Sequence, residues 1–402
     1  MHICLITSGR PFEAFPGGEG KFTMSLREWL VGHNCDVTVV GRRLFGVQVF
    51  KSSDATRIEP QTKLTRPRAL PLPYPIFGVC MLITSLLFML RVIAINRRSR
   101  ISVIHAQDTG YGGLSAVISA KLMKVPVLVS SHGIRHITIY KALKGVSRKL
   151  SFPFERWLDA VTSRNADSLI VVASSQETVF ANLGVKRSKI KMIPIGIDVG
   201  DFKICEGVRQ DVRQELGISN DVVIGFIGRF FTEKNLFALL ESFAEALKHA
   251  SKMKLVLVGT GPLEDQLRTF CQKQSIDDKV VFTGFRHDVN RLFSALDVFV
   301  LPSYTEGCPT ALLEAMASGK AIIASNIPSI REIVEHGKEA ILVNPYDAEG
   351  WKQAVLLLYN RSDLRADLGN NAEKRAEVYN NHEVNAQILK LYEEQIHAAR
   401  SN

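Results

Sequence analysis

Two doubly wound α/β domains are the fold class that this chain predicts. Short apolar runs rich in Val and Ile recur along its whole length, each followed by helical periodicity. That is the pattern of βαβ units on a parallel sheet. Glycine, proline and small polar residues cluster where each run stops, at the strand ends where open α/β sheets form ligand crevices. The length, 402 residues, exceeds one ordinary core and fits two domains of roughly 200 residues. The expected division is 1–198 and 199–380, with a last helix over 381–402.

With 46% hydrophobic and 22% charged residues, the composition is that of a globular protein. The six cysteines (Cys4, Cys35, Cys80, Cys205, Cys271, Cys308) form no C-x-x-C pair and show no metal-ligand spacing. They read as reduced thiols. No secretory leader is recognisable ahead of the first apolar run, so a cytoplasmic location is expected. The net charge of +10 is uneven. Residues 1–200 hold 27 Lys+Arg and 12 Asp+Glu, a balance of +15; residues 201–402 hold 23 and 28, a balance of −5. An anionic partner for the first half follows. Neither a base-reading basic helix nor an aromatic stacking strip accompanies the charge. An anionic membrane surface therefore suits it better than nucleic acid.

Ile3–Ile6 is the first strand, apolar as a buried parallel strand should be. The loop after it holds Gly17 and Gly18 ahead of an amphipathic helix, Phe22 to Gly32. Adjacent glycines admit a ligand close to backbone and a helix start favours phosphate, although a plain turn uses the same residues. The glycine spacing does not fit a dinucleotide fingerprint. Cys35–Val40 is the second strand. Residues 43–73 read as a short strand region and an irregular loop, with Pro67, Pro71 and Pro73 near its end. Tyr74 to Ile95 is apolar except for Thr84, Ser85 and Arg91, and Arg97, Arg98 and Arg100 follow. Three readings stay open for it: a buried domain helix, a domain helix that touches a membrane, or a spanning helix. Val103–Ala106 is a strand with Gln107 and Asp108 at its C-terminal end. Val125–Ser131 is another, ending at His132-Gly133. The basic stretch Arg135 to Arg156 suits lipid phosphates or a solvated helix face alike. A strand at 166–174 and a helix from Gln176 to Leu183 follow, and the segment Lys191 to Asp198 ends the first domain.

In the second half, Val222–Ile227 is a strand ending in Gly228-Arg229, followed by Thr232-Glu233-Lys234-Asn235 and a helix. Lys254–Val258 runs into a turn with Gly259 and Gly261. Further strands are 280–285, 321–325 and 340–343, and the chain is helical from Trp351 onward. The most informative stretch is 297–319. Asp297 reads as a cap or packing residue. Val298–Leu301 is a strand that stops at Pro302, and a polar turn then carries Glu306, Gly307 and Cys308. Pro309 suits the first helical position, because its missing N–H would lack an intrahelical partner there. Thr310 to Ser318 reads as the helix, closed by Gly319. Glu306 thus sits on a loop at a strand's C-terminal end, and Glu314 about a turn and a half into the helix. The free N–H groups of the first helical turn between them form an anion site. One carboxylate on each side of an anion site matches a sugar nucleotide, with its diphosphate, ribose hydroxyls and sugar hydroxyls.

The context Glu306-Gly-x-Pro-x-x-x-x-Glu314-Ala-Met-Ala resembles the E-x(7)-E signature of retaining GT-B glycosyltransferases of family 4 (glycosyl transferases group 1). The Gly17-Gly18 loop, His105-Ala-x-Asp108, Ser-His132-Gly and Gly228-Arg229 with Lys234-Asn235 resemble further parts of that family. The resemblance covers nearly the whole chain except roughly residues 43–100. Ile195 departs from the family's usual Asn. The resemblance implies two Rossmann-like domains facing across a cleft, the last helix returning toward the first. It implies that Glu314 holds ribose hydroxyls, Glu306 the sugar, and Arg229 and Lys234 the diphosphate, with His132 at the sugar near the reacting carbon. His132, Glu306, Arg229 and Lys234 are the catalytic candidates. Gly17, Gly18, Gly228, Gly259, Gly261, Gly307, Cys308, Pro309 and Thr310 complete the donor site, and Asp108 faces the acceptor. The donor expected is a UDP- or GDP-sugar, with no metal or cofactor, because two fixed cations offset the charge that grows on the leaving phosphate. The acceptor expected is lipid-linked or a phospholipid at the cytosolic membrane face, as in glycolipid or polysaccharide synthesis. The alternatives are a soluble sugar acceptor, a sugar-nucleotide epimerase of the same fold, and a non-catalytic nucleotide-sugar-binding or scaffold protein.

Overall fold

The structure is a computed structural model of the chain and describes residues 1–8, 18–43, 46–50, 74–134, 145–203 and 206–401. These form two compact units: Met1–Gly196 with His382–Asn402, and Ile197–Asn381. The helix Asn381–Ser401 therefore belongs almost wholly to the first unit.

The first unit is built on strands β1 (His2–Thr7), β2 (Asp36–Arg43), β3 (Gly46–Phe50), β4 (Val103–Ala106), β5 (Val127–Ser131), β6 (Ser168–Val171) and β7 (Ile190–Met192). Their order in the sheet is β3-β2-β1-β4-β5-β6-β7. All pairings are parallel except β2 with β3, whose ends at Arg43 and Gly46 are too near in sequence for a parallel crossover. Every residue of β1, β4, β5 and β6 is buried, as helices on both faces of a parallel sheet require. The winding reverses between β1 and β4, which is the switch point where such sheets open a crevice. β5 starts at Val127 rather than Val125. The Val125 N–H is spent on Ala120 O, and Pro126 has none to give.

The apolar segment is a helix, Tyr74–Arg98. Ser85, Phe88 and Val92 are buried, with the Phe88 ring 6.2 Å from that of Tyr111, while Leu82, Ile83, Leu86, Leu87 and Leu90 are exposed. One face is thus part of the domain core, as in a domain helix and unlike a helix ringed by lipid.

The second unit carries β8 (Val222–Ile227), β9 (Met253–Val258), β10 (Val280–Gly284), β11 (Val298–Leu301), β12 (Ala321–Ser325) and β13 (Ile341–Val343). Their order is β10-β9-β8-β11-β12-β13, all parallel, with the switch point between β8 and β11. Phe226, Phe230, Phe243, Phe293, Phe299 and Trp351 fill its core. Asp297 is a packing residue. It accepts from Arg209 at 2.6 Å, Arg213 at 2.7 Å and the Val223 N–H at 2.7 Å. Burial alone would raise its pKa, but those donors hold it below the usual carboxylate value.

Candidate active site

The two loops at the β8/β11 switch point carry the charged residues singled out above. After β8 come Gly228 and Arg229, then a 3₁₀ turn, Thr232–Lys234, that ends at Asn235 in the left-handed region with φ 53°. The Asn235 amide donates to Pro345 O at 2.9 Å, which pins the turn. The Tyr304 N–H donates to Glu233 O at 2.9 Å, which ties the turn to the loop after β11. Together these set Lys234 Nζ 2.5 Å from Glu306 Oε1, with side-chain exposures of only 15% and 9%. Arg229 differs: its guanidinium is 72% exposed, 4.8 Å above the Phe231 ring and 4.0 Å from Glu233. The structure thus joins Lys234 and Glu306 in one ion pair and leaves Arg229 as an exposed arm.

The glycines of the β9 loop have a packing reason. A Cβ on Gly259 would meet Gly228 O at 2.0 Å, and one on Gly261 would meet Phe230 O at 2.3 Å. Gly259 also has φ +129°, which favours glycine. The close approach lets the Gly228 N–H reach Val258 O and the Phe230 N–H reach Thr260 O, both at 3.0 Å. Gly228 and Arg229 are thereby held at the switch point.

After β11, Glu306, Gly307 and Cys308 are half-buried and lead into the helix Thr310–Ala317. This helix starts at Thr310, as the sequence predicts, but Pro309 is not its first helical residue. Pro309 is the N-cap, with ψ 101°, and its carbonyl already accepts from Leu312 N at 3.0 Å. No side chain caps this start among the described residues, so the first-turn N–H groups keep the capacity to bind an anion. The helix also stops one residue short of Ser318, whose hydroxyl and N–H both turn back to Glu314 O, and Gly319 follows at φ +58°. Glu314 is half-buried, one turn into the helix.

At the first unit's switch point, Asp108 accepts from Ser8 N at 3.2 Å and from Gly110 N at 2.7 Å. A Cβ on Gly112 would lie 2.3 Å from Asp108 Oδ2, so that glycine admits the carboxylate. Asp108 therefore holds together the loops after β1 and β4. His132 follows β5; its Nε2 lies 3.1 Å from Gln107 Oε1, and its ring meets Phe22 edge-on at 4.8 Å. Burial lowers its pKa to about 4, which leaves the imidazole neutral near pH 7. Gly18 opens the helix Gly18–Gly32. Gly17 lies outside the described residues, as do Pro67, Pro71, Pro73, Arg135, Lys141, Lys144 and Cys205.

Sequence reasoning passed over two residues here. Gln107 was visible as a polar residue at a strand end, and it is the hydrogen-bond partner of His132. Tyr392 lies 287 residues from His105, whose ring it meets through its hydroxyl. No local pattern marks such a pair.

Residues 208–375 match the family Glycosyl transferases group 1, and residues 16–201 match Glycosyltransferase Family 4. Among curated proteins, the chain is 27% identical over 250 residues to an alpha-monoglucosyldiacylglycerol synthase of Streptococcus pneumoniae. That stretch is 61% of this chain and 56% of the relative. It is 28% identical over 271 residues to the UDP-Gal:alpha-D-GlcNAc-diphosphoundecaprenol alpha-1,3-galactosyltransferase of Escherichia coli, covering 65% and 67%. Among solved structures, Anabaena HepE in complex with UDP-glucose superposes with a TM-score of 0.76 at 18% identity, covering 98% of this chain and all of that one. A likeness at that identity speaks for the fold.

Proposed function

The chain belongs to the group 1 glycosyltransferases of GT-B fold, and from that premise we propose a retaining transfer of sugar from a nucleoside-diphosphate sugar to a membrane-anchored acceptor. The observation that carries this reading is the pairing of Lys234 with Glu306 beside an uncapped helix start at the β8/β11 switch point. A diphosphate needs cations and N–H donors, and a sugar needs a hydroxyl-binding carboxylate; both lie within this one loop cluster.

In the reaction, the bond from the anomeric carbon to the β-phosphate oxygen breaks, and one to the acceptor oxygen forms. The acceptor's hydroxyl proton leaves with the released diphosphate. Negative charge grows on that diphosphate, so donors already in place lower the barrier. Lys234, Arg229 and the first-turn N–H groups at Thr310 act there, without metal. Glu306 accepts from sugar hydroxyls and Glu314 from ribose hydroxyls. His132, neutral, accepts from a further sugar hydroxyl. A UDP-sugar is the favoured donor, since the E. coli relative's name specifies UDP-Gal and the Anabaena neighbour was solved with UDP-glucose.

The outer face of the helix Tyr74–Arg98 supports a lipid acceptor. At about 100° per residue, Leu82, Leu86, Leu90, Ile83 and Leu87 span an arc of roughly 140°, and Arg97 falls inside it. Arg91 and Arg98 sit at its border, and Arg100 follows the helix. Apolar side chains flanked by arginines suit an interface with anionic lipid. Of the two curated relatives described above, one is named as synthase of a glucosyldiacylglycerol and the other for a diphosphoundecaprenol-linked acceptor. The test is a donor-hydrolysis screen across UDP-, GDP- and ADP-sugars, with and without a lipid extract. Turnover of a UDP-sugar that rises with lipid is the expected result. Release of diphosphate from none of them overturns the reading.

A further inference from the structure

We propose that Gln107 is a positioning residue that fixes the tautomer of His132, and that Tyr392, acting through His105, fixes Gln107. The residues form one chain of hydrogen bonds inside the first unit. Tyr392 Oη lies 2.6 Å from His105 Nδ1, and Ser130 Oγ lies 2.7 Å from His105 Nε2. Gln107 Nε2 lies 3.3 Å from His105 Nδ1, and Gln107 Oε1 lies 3.1 Å from His132 Nε2. Tyr392, His105 and Gln107 are fully buried, and Ser130 is 1% exposed.

Only one sense of donation suits this chain. The Tyr392 hydroxyl has no partner but His105 among the described residues, so its proton belongs on His105 Nδ1. His105 then carries its own proton on Nε2 and donates to Ser130. The Nδ1 lone pair, used chiefly by Tyr392, repels an amide oxygen and attracts an N–H, so Gln107 turns its NH₂ toward His105 at 3.3 Å and its oxygen toward His132. His132 is therefore the donor at Nε2, and its Nδ1 keeps a bare lone pair. That Nδ1 is buried, with no partner among the described residues. In the opposite sense two buried donors, the Tyr392 O–H and the His132 Nδ1–H, would be left unpaired. In this sense the Ser130 O–H is the one left over; the second Gln107 N–H has no partner among the described residues in either sense and does not discriminate. An unpaired buried donor is the costlier defect. The depressed pKa values of both histidines agree with two neutral rings.

The consequence is a specific demand on a ligand. His132 Nδ1 is offered as an acceptor and takes a hydroxyl, not a carbonyl or a phosphate oxygen. That suits a sugar, and on this point alone the proposal rests on the proposed function.

The test is long-range ¹H–¹⁵N correlation of the imidazole nitrogens in the full-length protein near neutral pH, which separates N–H from bare nitrogens. Spectra of His132→Gln and His105→Gln assign the signals. Wild type should show His132 protonated at Nε2 and bare at Nδ1. Gln107→Met, which keeps size and removes both amide contacts, should shift His132 toward a mixture of tautomers. Tyr392→Phe leaves the two senses of the chain with one unpaired donor each, so it too should give a mixture. It serves if Gln107→Met does not fold. In UDP-glucose turnover, both variants should lose kcat by about threefold to tenfold, the scale of one hydrogen bond to a neutral acceptor, with KM for the donor changed less. A wild-type His132 protonated at Nδ1, or an unchanged tautomer in both folded variants, overturns the proposal. A shifted tautomer with unchanged turnover supports the positioning and instead overturns His132 as a sugar contact.

Discussion

Replacing Glu306 by Gln should move two properties in opposite directions. In the unliganded protein Lys234 Nζ sits 2.5 Å from Glu306 Oε1, both largely buried. Removing the carboxylate charge leaves Lys234 short of a counter-ion, which should cost about 1–3 kcal/mol of stability, less than for a fully buried pair because some exposure remains. The same change removes a negative charge from beside the diphosphate site. For a phosphate roughly 5–6 Å from that carboxylate and an effective dielectric of about 20–80, the relieved repulsion is about 1–3 kcal/mol. UDP should then bind the variant more tightly, by about fivefold to a hundredfold. Turnover should nevertheless fall by at least about tenfold, since a sugar hydroxyl loses a charged acceptor. Calorimetric titration with UDP, thermal melts with and without UDP, and donor turnover read the three quantities. Equal or weaker UDP binding in a folded variant would show that Lys234 does not serve a diphosphate, and the site would have to be reassigned.

Arg229→Ala and Lys234→Ala should each reduce turnover more than donor binding, by on the order of 3 kcal/mol in the barrier, as for the loss of one donor to a developing anion; near-wild-type kcat in both variants would contradict their roles. Turnover should survive EDTA, and complete inhibition that magnesium or manganese restores would require a metal-dependent mechanism instead. Stability should fall as pH drops from about 6.5 toward 4. His132 and His105 have folded pKa values lowered to about 4 and about 3, so the unfolded chain takes up their protons first and folding loses free energy on acidification. A pH series of denaturation curves should show this slope reduced in His132→Asn; an equal slope would mean that the ring is not protected. Anionic vesicles should sediment the protein in a salt-sensitive way, and changing Leu82, Leu86 and Leu90 to Ser, or Arg97, Arg98 and Arg100 to Ser, should weaken this. Equal binding to neutral vesicles, or none to either kind, would remove the electrostatic part of the docking model.

What was legible in the sequence was what is local. Val298–Leu301, Pro302, Glu306, Pro309 and Gly319 lie within one strand–loop–helix unit, so turn chemistry and helix periodicity place them to within a residue or so. The one-residue error at Pro309 has a local cause. A proline favours the first helical position but can also sit at the N-cap, and ψ decides which, a quantity no side chain reveals. What stayed hidden depends on pairings across loops. Lys234 and Glu306 are 72 residues apart, and their contact is fixed by the strand order that sets β8 beside β11. Gly259 and Gly261 are expected in the donor site; what the sequence does not show is that a Cβ there would collide with the backbone of residues 228–230. Asp108 is expected to face the acceptor; what the sequence does not show is that its carboxylate also accepts from Ser8 N and Gly110 N.

The two switch points share a topology and differ in chemistry, and physical cost explains the difference. At β8/β11 the ligand groups proposed are charged, so Arg229 stays in water and Lys234 keeps a partner, as ionised groups must. Around β4 and β5 in the first unit the groups are Gln107, His105, Ser130 and Tyr392, all buried and all neutral. A buried neutral network loses less on leaving water than an ion pair does. It can also hold a lone pair in one direction without attracting a counter-ion. The +15 balance of residues 1–200 therefore has no place in this network. Among the described residues Arg91, Arg97, Arg98 and Arg100 carry part of it on an exposed surface, where it is free to meet an anionic partner.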